Sequence, residues 1–412
     1  MLTSITPLDG RYDLSELSEF VSEYALIRLR VEIEIKYLIK LSNYKIIPKV
    51  SPGTLLSILY DFDLAEAEKV KLIESTTRHD VKAVEIYLRE RVPPKIREFV
   101  HIGITSEDIN NIAYRLMLQS TITIIIVPIL QDILNNLVRA EEKPMLARTH
   151  GQAAAPTTWG HEMKVFHTRL KEEIRRLEWE ICDLTGKFNG AVGNFYALKL
   201  AYPDIDWDKF SREFVNSFSL DYSSTTTQIN PFEDIIVVFQ NIQRINGILL
   251  DYVQDMWRYI SDGWLKLKVE KNEVGSSTLP QKVNPIDFEN AEGNLVLANG
   301  LAQTMIDKLY VSRLQRDLSN STIMRNIGTL LGYCLVAYKS ILSGMDRVSV
   351  DTEAMKKALE ADYSIYAEAL QVRMRKEGLH DAYDLIASRI KGKTFTKEEW
   401  DKLVRETEWL LP

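Results

Sequence analysis

The sequence predicts an all-α protein in which a long central helical bundle is flanked by two smaller helical domains. The main observation is a series of apolar residues after Pro231 that are spaced alternately by three and four positions: Ile235, Val238, Ile242, Ile245, Leu249, Tyr252 and Met256. This 3.5-residue repeat is typical of the seam of a bundle helix. A helix over about 232–268 would be roughly 55 Å long, and such a rod is useful only where several lie side by side.

A second long helix is predicted from Thr105. Thr105 and Asp108 form a capping box, the [ST]xx[DE] pattern that begins a helix, and the helical pattern reaches about Glu142. The β-branched segment 121–127 (TITIIIV) resembles a strand locally, and Pro128 should kink the chain. We predict helix over this segment because strand patterns are absent elsewhere.

Three further helical patterns complete the bundle. They cover about 157–185, which Gly186 closes, then 286–309 and 319–344. Loop-rich segments separate the long helices, at 143–156, 187–231 and 269–285. The predicted domains are an N-terminal helical domain (1–105), the central bundle with the loop 273–285 (106–345), and a short C-terminal helical domain (346–412).

Composition and charge exclude several classes of protein. The 412 residues are 45% hydrophobic and 26% charged, which is the balance of a folded soluble protein with a large core. Two cysteines, Cys182 and Cys334, are too few for a disulfide scaffold or a Cys-rich zinc module, and we expect both to be buried in apolar helices. The net charge of −7 offers no general attraction for nucleic acid.

The sequence also favours a cytoplasmic location. The N-terminal segment MLTSITPLDGRYDL has no basic patch followed by an apolar stretch, so no signal peptide is predicted. The most apolar run, 122–130, is about half the length that a membrane span needs. With the low cysteine content, these features predict a soluble protein of a reducing compartment with no membrane partner.

The segment 273–285 (EVGSSTLPQKVNP) is the strongest candidate for chemistry. It places a serine pair, Lys282 and Asn284 on one loop, where small residues can expose backbone N–H groups to an anion. The alternative is an ordinary helix connection, because such connections are also rich in Gly, Ser, Pro and Asn.

Three of the six histidines stand in polar clusters. They are His79 between Arg78 and Asp80, His101 shortly before Thr105 and Ser106, and His150 in Thr149-His150-Gly151-Gln152. Each one alone is more simply explained as a surface or core histidine, and we assign His161, His167 and His380, within helical patterns, structural roles. None has the spacing of metal ligands and no Gly-rich dinucleotide motif is present, so neither a metal nor a cofactor is predicted.

Together these segments resemble the signature motifs of one family. GSSTLPQKVNP (275–285) resembles the loop GSSxMPxKxNP of the fumarase/aspartase superfamily, whose members eliminate fumarate from succinyl compounds. Within it, the chain is most similar to the adenylosuccinate lyase family of the bacterial type. The supporting motifs, in family order, are TPLDGRY (6–12), TTRHDVKAVE (76–85), FVHIGITSEDINN (99–111), ARTHGQ (147–152), GAVGNF (190–195), TTQINP (226–231), NPIDFENAEGNL (284–295) and SRLQRDLSNSTIMRN (312–326).

The resemblance implies a role for each matching residue. Ser276 would be the general base and His150 the general acid, with Glu289 orienting that histidine and His79 assisting at the leaving-group and phosphate end. Thr105, Ser106, Thr149, Gln228, Lys282 and Asn284 would hold the succinyl carboxylates. The nucleotide and its phosphate would bind Arg11, Tyr12, Arg316, Ser321 and Arg325. The other residues implied in substrate binding are Arg78, Asp80, His101, Ser277 and Asn290.

The implied activity is a cofactor-free anti β-elimination in purine biosynthesis. Members of the family cleave adenylosuccinate to AMP and fumarate, and SAICAR to AICAR and fumarate. Removing a proton next to a carboxylate builds negative charge on that carboxylate, and Lys282 and Asn284 are suitable donors to it. The resemblance also implies a homotetramer whose active sites are shared between subunits.

Three features depart from the family pattern. Leu279 replaces the usual methionine, Gln281 stands where argininosuccinate lyases often have glutamine, and the C-terminal region is short. Argininosuccinate lyase is therefore the nearest alternative, although it has no need for the phosphate-binding arginines. A non-catalytic bundle protein is the alternative from another class, and the joint presence of Ser276, His150, Lys282 and Asn284 argues against it.

Overall fold

The computed structural model describes residues 3–269 and 278–408 and is mostly helical, as predicted. The helices are α1 (Pro7–Gly10), α2 (Ser15–Val21), α3 (Glu23–Asn43), α4 (Pro52–Tyr60), α5 (Leu64–Thr77), α6 (Asp80–Arg91), α7 (Ser106–Thr121), α8 (Val127–Val138), α9 (Trp159–Glu180), α10 (Tyr196–Ala201), α11 (Trp207–Asn216), α12 (Glu233–Ser261), α13 (Ile286–Leu309), α14 (Ser319–Met324), α15 (Ile327–Arg347), α16 (Thr352–Glu360), α17 (Ala367–Lys376), α18 (Ala382–Ile390) and α19 (Lys397–Glu408). Short 3₁₀ turns cover Pro94–Phe99 and Tyr363–Tyr366.

The chain divides into two compact units, each interleaved along the sequence. Unit 1 comprises Met1–Gln131, Glu172–Gly247 and Gly293–Tyr338, and unit 2 comprises Asp132–Lys171, Ile248–Glu292 and Lys339–Pro412. The three sequential domains predicted above are a different kind of division and stay a prediction.

The seam predicted on α12 is confirmed. All seven of its apolar residues are at most 3% exposed. The helix ends at Ser261, seven residues before the predicted end, because Gly263 adopts a left-handed φ of 75° and the N–H groups of Gly263 and Trp264 donate to the carbonyls of Ile260 and Tyr259. This Schellman motif closes the helix, so its length is about 44 Å at 1.5 Å per residue.

The β-branched segment before Pro128 is helical, as predicted, but in a wider form. Residues Ile122–Ile126 form a π-helical stretch between α7 and α8, in which the N–H of Val127 donates to the carbonyl of Ile122. Proline lacks an N–H and clashes with the carbonyl four residues earlier in a regular helix. The π-helical stretch accommodates Pro128 without ending the helix.

The remaining bundle helices agree with the predictions to different degrees. α13 has the predicted bounds, whereas the pattern over 319–344 is split into α14 and α15. α9 ends at Glu180, and Gly186 lies in a strand rather than at the helix end.

The prediction that strands are absent is wrong. Three two-stranded sheets are present: antiparallel β1 (Pro144–Thr149) with β2 (Gln152–Thr158), parallel β3 (Thr185–Gly186) with β4 (Asp221–Tyr222), and antiparallel β5 (Leu265–Leu267) with β6 (Val348–Val350). The segment 143–156, predicted as a loop, is therefore mainly a hairpin. These strands are two to seven residues long, too short for sequence periodicity to be recognised.

An aromatic cluster forms part of the core of unit 1. The Tyr37 ring on α3 lies 5.0 Å from that of Phe188 and 6.0 Å from those of Phe210 and Phe214 on α11. The Tyr37 hydroxyl donates to the carbonyl of Ile102 at 2.8 Å, so the core also holds the loop that precedes α7.

Aromatic packing also organises unit 2. The Tyr259 ring lies 5.9 Å from Trp159 and stacks on Trp264 at 5.8 Å, and the Arg148 guanidinium lies 5.2 Å from the Trp264 ring. These contacts tie the hairpin β1–β2 to the end of α12. The C-terminal helices enclose a separate apolar cluster of Leu370, Met374, Ala382, Ile386, Trp400 and Leu403.

Two helical stretches are long and apolar enough to resemble membrane spans, Ser106–Val138 and Ser319–Arg347. The most apolar windows of these stretches are 44% and 61% buried inside the protein. The two cysteines differ in burial. Cys334 is buried as expected, but Cys182 is exposed, because α9 ends two residues before it and the chain there turns at the surface.

Candidate active site

The start of α7 presents Thr105 and Ser106 in a fixed turn. The predicted capping box is present: the backbone N–H of Thr105 donates to the Asp108 carboxylate at 2.8 Å, and the N–H of Asp108 donates to the backbone carbonyl of Thr105 at 2.9 Å. Ser106 is the first helical residue. Because the first N–H groups of a helix lack intrahelical partners, this turn is suited to bind a carboxylate.

Three predicted substrate residues of unit 1 lie beside one another. Arg316 donates to the Gln228 side-chain oxygen at 3.4 Å and to the Ser321 hydroxyl at 3.3 Å, and it forms an ion pair with Glu107 at 3.0 Å. Glu107 is the residue after Ser106 and is buried, so this ion pair connects the group to the first turn of α7. Thr105, Ser106, Gln228, Arg316 and Ser321, which are far apart in sequence, are thus brought to one region of unit 1.

Gln228 is held by further hydrogen bonds. Its backbone N–H donates to the Gln315 side chain at 3.1 Å, and its side-chain amide donates to the carbonyl of Ala191 at 3.0 Å. The loop 190–193 therefore adjoins the same group of residues.

The residues Arg78, His79 and Asp80 form the joint between α5 and α6. Arg78 ends α5 with a left-handed φ of 54°, and His79 caps α6 by accepting the N–H of Lys82 on Nδ1 at 3.1 Å. In a neutral ring this bond leaves the proton on Nε2, which is then the hydrogen-bond donor of the ring. The side chain of His79 is 52% exposed, so that donor is accessible.

Asp80 pairs with two arginines. Its carboxylate accepts from Arg30 at 2.6 Å and from Arg325 at 2.8 Å. Although burial alone would raise it, the two guanidinium groups lower the pKa of Asp80 below its ordinary value. The predicted phosphate-binding Arg325 is thereby held beside His79 by the neighbouring residue.

His101 is paired with a carboxylate that the sequence reasoning did not identify. Its Nδ1 contacts the carboxylate of Glu34 on α3, which is fully buried. Burial alone would lower the pKa of His101, but the Glu34 charge and hydrogen bond raise it above 6.5. His101 also has a positive φ of 62°, a strained conformation for a residue with a side chain.

His150 occupies the tip of the hairpin β1–β2. His150 and Gly151 are the two central residues of its turn, between the paired Thr149 and Gln152, and their φ angles are 54° and 73°. Two-residue hairpins favour turns with positive φ at both positions, because their twist matches that of the strands. The turn exposes the His150 ring at the end of the hairpin, and among the described residues the ring has no hydrogen-bond partner.

A cavity of about 480 Å³ adjoins this hairpin in unit 2. Its lining includes Arg148, Gly151, Arg258 and the carboxylates of Glu162 and Asp255. Burial, followed by the charges of Asp251 and Glu162, raises the pKa of Asp255 to about 6.

The described part of the loop 273–285 begins at Thr278, and Ser276 and Ser277 lie outside the described residues. Lys282 is exposed, and its N–H closes a turn onto the carbonyl of Leu279 at 3.1 Å. Asn284 lies two residues before α13. On that helix, Glu289 accepts from the Trp257 indole at 3.2 Å, and Asn290 donates to Ser340 at 2.7 Å. The pairing of Glu289 with His150 stays a prediction.

Arg11 and Tyr12 follow the short helix α1 in unit 1. The N–H groups of both donate to the carbonyl of Pro7, at 2.9 and 3.2 Å, and the Arg11 side chain is exposed.

Several residues of the site region were not identified from the sequence. Asp108 was recognised only as a helix cap, and Glu107, Glu34, Asn189 and Lys187 were not singled out. Glu34, Lys187, Asn189 and Glu107 contact residues 67, 79, 81 and 209 positions away, so local patterns cannot reveal these contacts. The one available signal was that Glu107 and Asp108 lie inside a motif and Asn189 next to one.

Comparison with known proteins agrees with the motifs. Residues 52–300 match the family described as lyase, and residues 312–410 match the family described as adenylosuccinate lyase C-terminal. The chain is 41% identical to an adenylosuccinate lyase of Haemophilus influenzae and 40% identical to one of Escherichia coli K12, in both cases over 96% of the chain and 90% of the relative. It is 42% identical to one of Dictyostelium discoideum, over 95% and 89%.

Solved structures share the fold. A fumarate lyase from Mesorhizobium sp. BNC1 has a TM-score of 0.75 at 19% identity and covers 92% of this chain and 88% of its own. A β-carboxy-cis,cis-muconate cycloisomerase from Acinetobacter calcoaceticus sp. ADP1 has a TM-score of 0.73 at 16% identity, with 93% and 87% covered. The first family match covers more than half of the chain and relatives of about 40% identity span nearly all of it, so the chain belongs to the adenylosuccinate lyase family and is a lyase of purine nucleotide biosynthesis.

Proposed function

We propose that this chain cleaves adenylosuccinate to AMP and fumarate, and SAICAR to AICAR and fumarate, by a cofactor-free anti β-elimination in the cytoplasm. The observation that carries the proposal is the group formed by Thr105, Ser106, Gln228, Arg316 and Ser321 in unit 1. It combines a helix N-terminus, an amide, a hydroxyl and a guanidinium, which are the donors that a substrate with carboxylates and a phosphate requires.

The succinyl end of the substrate would bind the turn at Thr105 and Ser106, with Gln228 beside it. The resemblance to the family adds Thr149, Lys282 and Asn284 to the proposed set of donors. Negative charge develops on the carboxylate next to the carbon that loses its proton, and donors fixed in advance stabilise it most effectively.

The phosphate end would bind Arg11, Tyr12, Arg316, Ser321 and Arg325. Arg316 and Arg325 are each paired with a carboxylate, Glu107 and Asp80, which holds the guanidinium in place. A guanidinium has five N–H donors, so a paired arginine can still donate to a phosphate oxygen. The Nε2 donor of the exposed His79 side chain is suited to donate to the same phosphate or to the leaving group.

Ser276 would remove the proton and His150 would protonate the departing nitrogen on the opposite face. The exposed position of His150 at the hairpin tip supports this role, because an acid that acts on a bound substrate must project beyond its own scaffold. A serine acts as a base only where its alkoxide is stabilised, and the loop with Lys282 supplies a cation and N–H groups nearby in sequence.

Argininosuccinate cleavage is the second candidate, favoured by Gln281 alone. The family match over 312–410 to the C-terminal region of adenylosuccinate lyases supports the purine substrate instead. The non-catalytic alternative has no observation in its favour.

We further propose that the protein is a homotetramer with shared active sites. On α12 the exposed face includes Val237, Arg244 and Gly247, and on α13 it includes Gly293, Val296 and Gly300. A Cβ at Gly247, Gly293 or Gly300 would meet no atom of the described residues within 4 Å. Glycine inside a helix costs about 1 kcal/mol relative to alanine, and apolar and small residues on an exposed face support close packing of helices from other subunits.

A spectrophotometric assay tests the reaction. Purified protein is incubated with adenylosuccinate, with SAICAR and, in parallel, with argininosuccinate. We expect turnover of both purine substrates, with loss of at least a hundredfold in kcat for Ser276→Ala and for His150→Ala. Turnover of argininosuccinate alone would assign the second candidate, and no turnover by the folded protein would favour the non-catalytic one.

Subunit mixing tests the shared site. His150→Ala and Ser276→Ala proteins are mixed under conditions in which exchange is shown by native mass spectrometry. If the two residues of one site come from different subunits, part of the activity returns; if exchange occurs and no activity returns, the shared site is refuted. His161→Ala, a matched histidine within α9, serves as the control and should retain activity.

A further inference from the structure

We propose that Asp108 and Lys187 form a buried positioning pair that holds the turn at Thr105 and Ser106 in the geometry required to bind the succinyl end of the substrate. This inference rests on the proposed function. Neither residue is expected to touch the substrate, since the side chains of both are fully buried.

The Asp108 carboxylate joins two segments that are about 80 positions apart. Its Oδ2 accepts the N–H of Thr105 at 2.8 Å. Its Oδ1 accepts the Lys187 Nζ at 2.8 Å and the N–H groups of Asn189 and Gly190 at 3.0 and 3.3 Å. One side chain therefore fixes both the first turn of α7 and the start of the loop 190–193.

Lys187 and Asn111 reinforce this joint. The Lys187 ammonium also donates to the carbonyl of Gly190 at 3.0 Å. The side-chain amide of Asn111 is hydrogen-bonded to both the N–H and the carbonyl of Lys187, at 2.9 and 3.0 Å. Because Ala191 in the same loop accepts from Gln228, the pair connects the Thr105 turn to the Gln228 side chain.

Only a carboxylate satisfies this arrangement. All four groups that face Asp108 are donors, on both of its oxygens, and an asparagine would place an NH₂ donor against either Thr105 or the Lys187 side. Glutamate would be one methylene too long for a fully buried site.

Stability alone is a weak reason for such a pair. A buried ion pair often contributes no more to stability than apolar side chains of the same volume, because both charges must be removed from water. What apolar side chains could not do is orient the N–H of Thr105 and the loop 190–193 together. This is the reason for assigning the pair to the site.

The test separates the two ends of the substrate. In Asp108→Asn we expect KM for adenylosuccinate and the inhibition constant of fumarate to rise at least tenfold, about 1.4 kcal/mol each. The inhibition constant of AMP should change less than twofold, because AMP lacks the succinyl group. A general loosening of the protein would weaken the binding of fumarate and of AMP to the same extent, and that result would overturn the proposal.

A second variant covers the case in which Asp108→Asn folds poorly. Asp108→Asn with Lys187→Met removes both charges, so the melting temperature should recover towards the wild-type value, while the fumarate constant stays at least tenfold raised. Recovery of both the melting temperature and the fumarate inhibition constant would assign the pair a purely structural role and overturn the proposal.

The matched control is Asp362→Asn. Asp362 likewise joins two segments by accepting the N–H groups of Ser364 and Phe395, at 2.9 and 3.0 Å. Within 3–269 and 278–408, its hydrogen bonds involve none of the predicted site residues. The Asp362→Asn substitution should lower the melting temperature and leave the inhibition constants of fumarate and AMP unchanged. If the wild-type protein does not cleave adenylosuccinate, the proposed function fails; if it does and Asp108→Asn leaves the fumarate constant unchanged, only this inference fails.

Discussion

Gly193→Ala is expected to destabilise the protein and to weaken substrate binding, because this position requires glycine for two independent reasons. Gly193 has a left-handed φ of 75°, and a Cβ built on it would lie 2.2 Å from the carbonyl oxygen and 2.8 Å from the carbonyl carbon of Thr226. The contacted atoms belong to the backbone, so no side-chain rotation can relieve the clash. The segment of Thr226 leads directly to Gln228, and the loop of Gly193 accepts from Gln228 at Ala191.

The magnitude follows from the separate contributions. A residue with a side chain at this φ costs about 1–2 kcal/mol, and forcing a methyl group into a packed position adds about 1–3 kcal/mol. Alanine recovers about 0.4–1 kcal/mol by restricting the unfolded chain. The expected loss in the free energy of unfolding is about 1–5 kcal/mol.

Gly263→Ala is the matched control. Gly263 has the same φ of 75°, but a Cβ there would meet no atom within 4 Å in the part of the chain that the structure describes, so only the backbone cost applies. Urea denaturation at one fixed protein concentration, with the slope measured for each variant, gives the two free energies. We expect less than about 1.5 kcal/mol for Gly263→Ala and a severalfold rise in KM for adenylosuccinate only for Gly193→Ala. Equal losses in the two variants would show that the contact with Thr226 contributes nothing.

Three further predictions concern buried charges. Glu34 raises the pKa of His101, so the pair stabilises the fold fully below pH about 6.5 and less as the pH rises through the raised pKa. The difference in melting temperature between wild type and Glu34→Gln should therefore narrow from pH 6 to pH 9. A difference that stays constant over this range would contradict the prediction. The pKa of Asp255 is raised from its ordinary value of 3.8 to about 6, so the folded protein loses stability as the pH rises from 3.8 to about 6 and the carboxylate ionises. Scanning fluorimetry should show Asp255→Asn to be more stable than wild type at pH 7.5 and equal to it at pH 4. Arg115→Met leaves the Asp234 carboxylate without the guanidinium that donates to it at 2.8 Å, and urea denaturation should show a loss of about 3–5 kcal/mol, whereas a loss below about 1 kcal/mol would mean that the charge finds another partner.

The sequence by itself determined the helical class, the seam of α12 and the bounds of α13. Repeats of 3.5 residues depend on which side chains are apolar, and that property is local. The ends of α9 and α12 were placed too late, because a helix stops where its terminal groups find other partners. For α12 the partner is the Schellman motif at Gly263, which lies at the end of an otherwise continuous pattern.

The short strands were missed for a related reason. β3 pairs Thr185 and Gly186 with Asp221 and Tyr222, some 36 positions away, and two residues carry no periodicity. The hairpin β1–β2 was hidden because its strands do not alternate cleanly between apolar and polar residues.

The candidate site likewise combines features that the sequence predicts with features that only the fold creates. The motifs identified Thr105, His150, Gln228 and Arg316 as residue types suited to the chemistry. Only the tertiary structure decided that Gln228 and Arg316 meet beside the first turn of α7, that Glu34 faces His101, and that Asp108 and Lys187 form a pair with no exposed surface. The physical reason is that the chemical nature of a side chain is carried by its own residue, whereas its pKa, its orientation and its partners are set by groups that approach only when the chain folds.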